Sequence, residues 1–202
     1  MTMNSDKDGG LSLLSVTPCG VGAYTLRLRG PDGAVSYTVL REAYEEIGAP
    51  AAGVTLTGEG VAEVEACSRR YLAVERALRI LGAGENSRRQ LRQKLLLRGV
   101  ERECAAFAVE YLFTRGYIKE REQAYRLAVS DCRYKLWGRE RILLHLLSLG
   151  YAREDILLAI EGAEADGEID FAEAFARLAE KKLGENPTKQ DLAALRYKYG
   201  YK

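Results

Sequence analysis

The sequence predicts a mainly α-helical protein. Tandem three-helix repeats of about 50 residues form an elongated body behind a small N-terminal β-hairpin element. The first observation is a recurring segment. SRRQLRQKLLLRGV at Ser87 to Val100 returns as GRERILLHLLSLGY at Gly138 to Tyr151 and as TKQDLAALRYKYGY at Thr188 to Tyr201. Leu91, Ile142 and Leu192 align, and so do Gly99, Gly150 and Gly200, which stand 51 and then 50 residues apart. That is the length of a multi-helix unit that cannot bury its apolar stripe alone and so stacks on copies of itself. The second observation is the alternation in Tyr24 to Arg29 and Val35 to Val39 around the turn Gly30-Pro31-Asp32-Gly33, which reads as a hairpin.

In chain order, residues 1–10 are polar, end in glycine and read as a disordered tail. Residues 11–59 hold the hairpin and a short helix over Leu40 to Ile47, stopped at Gly48-Ala49-Pro50. Repeat one, 60–118, opens with a helix from about Gly60 to Leu81. Its stripe is Val64, Cys67, Tyr71, Val74, Leu78 and Leu81. Asn86-Ser87 then caps a second helix, with Ser87-x-x-Gln90 as a capping box and Gly99 as its left-handed end. A third helix, Glu101 to Arg115, buries Cys104, Phe107, Ala108 and Tyr111.

Repeat two, 119–165, runs the same order: a helix through Tyr125, Ala128, Val129, Cys132 and Leu136, then Arg139 to Leu149, then Arg153 to about Ala163. The acidic stretch Glu161 to Asp170 reads as a hinge-like linker that lacks the ligand spacing of a calcium loop. Repeat three, 166–202, is incomplete. It has one helix marked by Phe171, Phe175 and Leu178 and a second started by Pro187-Thr188.

Composition narrows the function classes. No apolar run approaches the roughly 20 residues a membrane span needs, and no basic-then-apolar signal segment opens the chain, so a cytoplasmic protein is expected. Cys19, Cys67, Cys104 and Cys132 form no C-x-x-C pair, which argues against zinc and against a disulfide framework. The single histidine, His145, lies between leucines with no nucleophile signature nearby, and it reads as a surface or half-buried helix residue. Neither a phosphate loop nor a dinucleotide fingerprint is present. The expectation is a protein without catalytic residues, metal or cofactor.

Net charge is only +1, but it is unevenly spread: −2 over residues 1–84, +6 over 85–150, −6 over 151–185 and +3 over 186–202. Such asymmetry can aim one face at a polyanion and another at a basic partner. The candidate binding residues are Arg88, Arg92, Lys94 and Arg98 in repeat one, and Arg133, Lys135, Arg139 and Arg141 in repeat two. Arg92 and Arg98 stand where repeat two has Leu143 and Leu149, so repeat one is expected to leave open a side that the central repeat buries.

These segments together resemble the RecX family of recombination regulators. ALRILGAGENSRRQLRQKLLLRGV resembles the family's first repeat, KLWGRERILLHLLSLGY its second, and FAEAFARLAEKKLGENP its third. LFTRGYIKEREQAYRLA, with Gly116, Tyr117 and Tyr125, resembles the bridge between repeats, while Lys135, Gly138, Ile142, Leu146 and Gly150 stand at the expected places of the second. Gln90 and His145 depart from it, standing where the family often has glutamate. The resemblance implies an elongated, curved helical body that binds the RecA recombinase filament on single-stranded DNA, and a monomer is expected. It implies inhibition of the filament's ATPase, strand-exchange and coprotease activities in the SOS response, DNA repair and recombination, with no chemistry of the protein's own. Weak, salt-sensitive DNA binding accompanies that expectation. The alternatives are a helix-turn-helix DNA-binding protein, which should show a polar recognition helix, and a generic α-repeat scaffold for another protein.

Overall fold

The structure, a computed structural model, describes residues 10–20 and 22–201. Nearly all of the expected N-terminal tail, residues 1–9, lies outside the described residues. The chain falls into two compact units. One is Met1–Ile80 with Leu95–Tyr111, and the other is Leu81–Lys94 with Leu112–Lys202.

In the first unit, strands β1 (Leu11–Cys19), β2 (Ala23–Gly30), β3 (Gly33–Leu40) and β4 (Thr55–Leu56) form an antiparallel sheet in the order β3-β2-β1-β4. The predicted hairpin is β2 and β3, closed by Pro31-Asp32 with Gly30 paired to Gly33. It is half of the sheet. In β1 the register shifts between Leu13 and Ser15, so Leu14 is an extra residue that breaks the period of two by which a strand is recognised. In β4 only two residues pair, too few to carry a pattern. Leu13, Leu26, Leu28 and Val39 are each at most 1% exposed and make the sheet's apolar face. Burying a side chain of that size stabilises by roughly 1.5–3 kcal/mol.

Helix α1 (Arg41–Glu46) follows β3, and the long α2 (Gly58–Gly82) follows β4. Tyr37 on β3 donates a 2.6 Å hydrogen bond to Glu65 on α2. The predicted stripe of α2 needs correction in its second half. Leu78 is exposed, while Ala73, Val74, Ala77 and Ile80 are buried. Alanine at two of these positions allows close approach, and a pattern built on large side chains overlooks that.

Helices α3 (Arg88–Leu97) and α4 (Arg102–Thr114) complete the first triplet. On α4 the buried positions are Cys104, Ala105, Ala108, Val109 and, at 1% exposure, Leu112. Phe107 and Tyr111, expected in the core, are half-buried and stack on each other with ring centroids 5.8 Å apart.

The second triplet is α5 (Glu120–Lys135), α6 (Arg139–Leu149) and α7 (Arg153–Ala165); α8 (Phe171–Leu183) and α9 (Lys189–Tyr199) follow. Their shared core centres on Ile142, Leu146, Ile156, Ile160 and Leu178, each at most 1% exposed. Because α7 runs to Ala165, the predicted linker shrinks to Asp166–Asp170. Asp170 caps α8 by accepting from the amides of Ala172 and Glu173.

Candidate partner-binding surface

The three recurring helices end alike. Gly99, Gly150 and Gly200 have φ of +76°, +93° and +78°, and the next residue's amide donates back to the carbonyl of Leu95, Leu146 or Arg196. A Cβ would be strained in this left-handed turn, which is why glycine recurs there. The starts differ in chemistry. Ser87 and Gln90 form the expected reciprocal cap, Thr188 and Asp191 form another, and Gly138 begins α6 with no side-chain cap.

The uncapped start of α6 is satisfied by backbone. The Gly138 amide donates to the Tyr199 carbonyl at 2.8 Å, and the Glu140 amide to the Gly200 carbonyl at 3.1 Å. A Cβ on Gly138 would stand 2.5 Å from the Gly200 carbonyl carbon and 2.6 Å from the Tyr201 nitrogen, so only glycine fits. The start of α3 meets the end of α6 similarly. Ser87 Oγ donates to the Leu149 carbonyl at 2.6 Å, and Arg89 Cβ lies 2.6 Å from where Gly150 would carry a Cβ. In both cases the first turn of one middle helix seats on the carbonyl end of the next. The electropositive end of one helix thereby faces the electronegative end of the other.

At least six of the eight candidate basic residues make contacts inside the protein. Arg88 pairs with Glu120 at 2.9 Å, while Glu120 is 5% exposed and also accepts from the Arg88 amide; the guanidinium covers the Phe113 ring at 4.0 Å. Lys94 donates to Asn86, and Arg133 pairs with Glu168. Lys135 sits 2.7 Å from buried Asp131 and 4.4 Å from the Trp137 centroid. Arg139 bridges Glu161 and Glu164, each at 2.9 Å. Arg141 donates to the Lys198 carbonyl and lies over both Trp137 and Tyr199. Arg92 on α3 and Arg98, just past its end, are exposed. Leu143, the counterpart of Arg92, is 4% exposed, as the comparison of repeats anticipated, whereas Leu149, the counterpart of Arg98, is only half-buried.

The charge asymmetry thus has an internal component. Glu161, Glu164 and Glu168 of the acidic stretch hold Arg139 and Arg133 of the basic one. The pattern along the chain could not distinguish this from a surface aimed outward. Also illegible were the buried polar groups Glu120, Gln123 and Asp131 on α5. Their only sequence signal is that they interrupt an apolar helix face. His145, half-buried, completes the Asp131 cluster with Nδ1 at 2.6 Å, its ring edge-on to Trp137.

Burial pushes the Cys132 thiol up to about 11 and the Tyr151 hydroxyl up to about 12, and Tyr151 donates to Gln123. A thiol so raised stays protonated near neutral pH. Among the described residues no group of three or more histidine, cysteine or carboxylate side chains could hold a metal ion, and no helix is long and apolar enough to cross a membrane.

Residues 73–112 match the family model described as RecX, first three-helix domain. They span the C-terminal end of α2 from Ala73, all of α3 and most of α4. A crystal structure of the regulatory protein RecX superposes with a TM-score of 0.73 at 16% identity, covering 94% of this chain and 92% of that one. RecX from Lactobacillus salivarius gives a TM-score of 0.45 at 11% identity, covering 65% of this chain and 97% of its own. No curated protein matches the sequence.

Proposed function

We infer that this chain, a RecX-family protein by residues 73–112 and by its fold, is a regulator that binds the RecA recombinase assembled on single-stranded DNA. Bound there, it slows ATP hydrolysis, strand exchange and coprotease action in recombination and repair. The observation that carries this reading is the match at residues 73–112, which holds the capped start of α3 and its Gly99 end.

The eight basic residues remain its proposed contacts, graded by what already holds them. Arg92 is exposed on α3, whereas Arg88 is held by Glu120 and lies over Phe113. Direct attraction to DNA is therefore weak, and binding to the protein filament supplies most of the affinity through apolar and hydrogen-bonding contacts.

The test is to add the protein to a recombinase, single-stranded DNA and ATP, and to follow hydrolysis. The rate falls as protein is added, and the protein alone hydrolyses nothing. An unchanged rate at an excess of protein over filament sinks the reading.

A further inference from the structure

We propose that the Gly99 end of α3 is a seat for the acidic first turn of an α-helix belonging to a partner protein, entering N-terminus first. The protein uses such seats internally. The Gly150 end receives Ser87 and Arg89, and the Gly200 end receives Gly138, Glu140 and Arg141. The Gly99 end has the same left-handed glycine and the same closing hydrogen bond to Leu95, yet nothing lies within 4 Å of its Cβ position.

Beside it, within the first unit, is a groove of about 160 Å3 lined by Arg69, Leu72, Arg76, Gly99, Val100 and Glu101, among others. Its chemistry selects the occupant. Arg69, Leu72 and Arg76 share one face of α2 at helical spacing, and Leu72 is 46% exposed. Arg76 makes no ion pair among the described residues. Among the described residues Arg69 forms an ion pair with Glu101 alone, at 3.8 Å with both side chains more than half exposed, a contact that water screens and a better-placed carboxylate can displace.

A helix N-terminus brings unsatisfied amides toward the carbonyl end of α3, and acidic side chains are favoured in its first turn. Those side chains reach Arg69 and Arg76, while an apolar residue one turn on covers Leu72. The inference goes beyond the regulatory reading and does not depend on the partner being a recombinase.

The test uses the full chain and two labelled, alanine-rich peptides of about 20 residues, long enough to be partly helical. One begins Ser-Glu-Glu, and the other carries the same two glutamates in its last turn. Fluorescence anisotropy is expected to show the first binding at least about tenfold more tightly. Arg76→Glu should remove that preference. Gly99→Asn, which tolerates the left-handed backbone but fills the seat, should block binding with the melting temperature nearly unchanged. Arg76→Ala serves if the reversal perturbs folding. Equal binding of the two peptides, no binding of either up to about 1 mM, or indifference to both substitutions overturns the proposal. Self-association abolished by Gly99→Asn also overturns it, because the occupant would then be a second copy of this chain.

Discussion

Ser87 Oγ donates a 2.6 Å hydrogen bond to the carbonyl of Leu149, a residue 62 positions further along the chain. The same oxygen accepts from the Gln90 amide, so one hydroxyl both caps α3 and ties it to the end of α6. Thr188 performs only the first task, for α9. Ser87→Ala should therefore cost about 2 kcal/mol, and Thr188→Ala about 1. Urea unfolding of the two variants checks the order. Equal losses would mean that the longer-range bond adds nothing.

Gly138 and Gly167 separate two reasons for glycine. Gly138 has an ordinary φ of −79° but no room for a Cβ, whereas Gly167 has a φ of +71° and open space around it. Gly138→Ala should destabilise by about 1–3 kcal/mol through overpacking against Gly200 and Tyr201. Gly167→Ala should cost about 1 kcal/mol, from backbone strain alone. Gly167→Asn should recover part of that loss, and Gly138→Asn should recover none, by the same unfolding assay.

Alkaline pH should loosen the second unit. Burial raises Cys132 from 9.0 to about 11 and Tyr151 from 10.0 to about 12. In the unfolded chain both groups lose their protons first, so between the unfolded and folded values the unfolded state binds fewer protons and stability falls as pH rises. The contribution is whole below about 9 and is lost progressively toward about 12. Melting temperature measured from pH 8 to 11 should decline, and more shallowly in Tyr151→Phe than in the parent.

Charge reversal should separate surface from scaffold. Arg92→Glu should leave the melting temperature unchanged and weaken inhibition of the recombinase ATPase by about tenfold, or 1.4 kcal/mol. Arg88→Glu would set a carboxylate beside Glu120, which is 5% exposed, and should destabilise by about 3 kcal/mol or more. Its inhibition assay would then report on folding. If Arg92→Glu inhibits as well as the parent, the binding face does not include that side of α3.

Bare single-stranded DNA should be held by few contacts. If about two of the eight basic groups neutralise phosphates, the log-log salt slope is about −0.7 × 2, or roughly −1.4. Affinity then falls by about sevenfold between 50 and 200 mM salt. A slope steeper than about −3 in a filter-binding titration would show that the internally paired arginines are released to the strand.

The helical body was legible because its signals are local and repeated. Gly99, Gly150 and Gly200 end equivalent helices, and Ser87 with Gln90 caps where the spacing placed a cap. β1 was hidden by the extra residue at Leu14, and β4 by its two-residue length. On α2 the large residue Leu78 misled while the small Ala77 is buried, since burial there is decided by how closely neighbours approach. The basic residues were found by type, but whether Arg139 faces a partner or Glu161 and Glu164 depends on folding that brings together positions more than 20 apart. Charge counts carry no such information.

The seating of α6 on the carbonyl end of α9 makes the amides of Gly138 and Glu140 timekeepers for the C-terminal helix. Their acceptors, Tyr199 and Gly200, are the last residue and the cap of that helix, whereas the amide of Ile142 bonds to Gly138, the cap of its own helix. Hydrogen exchange at Gly138 and Glu140 should therefore report the fraction of time that α9 is detached, even while the rest of α6 stays closed. A departure too brief and too rare to alter a circular dichroism spectrum would still be recorded, as deuterium accumulating at two positions more than fifty residues upstream of the motion.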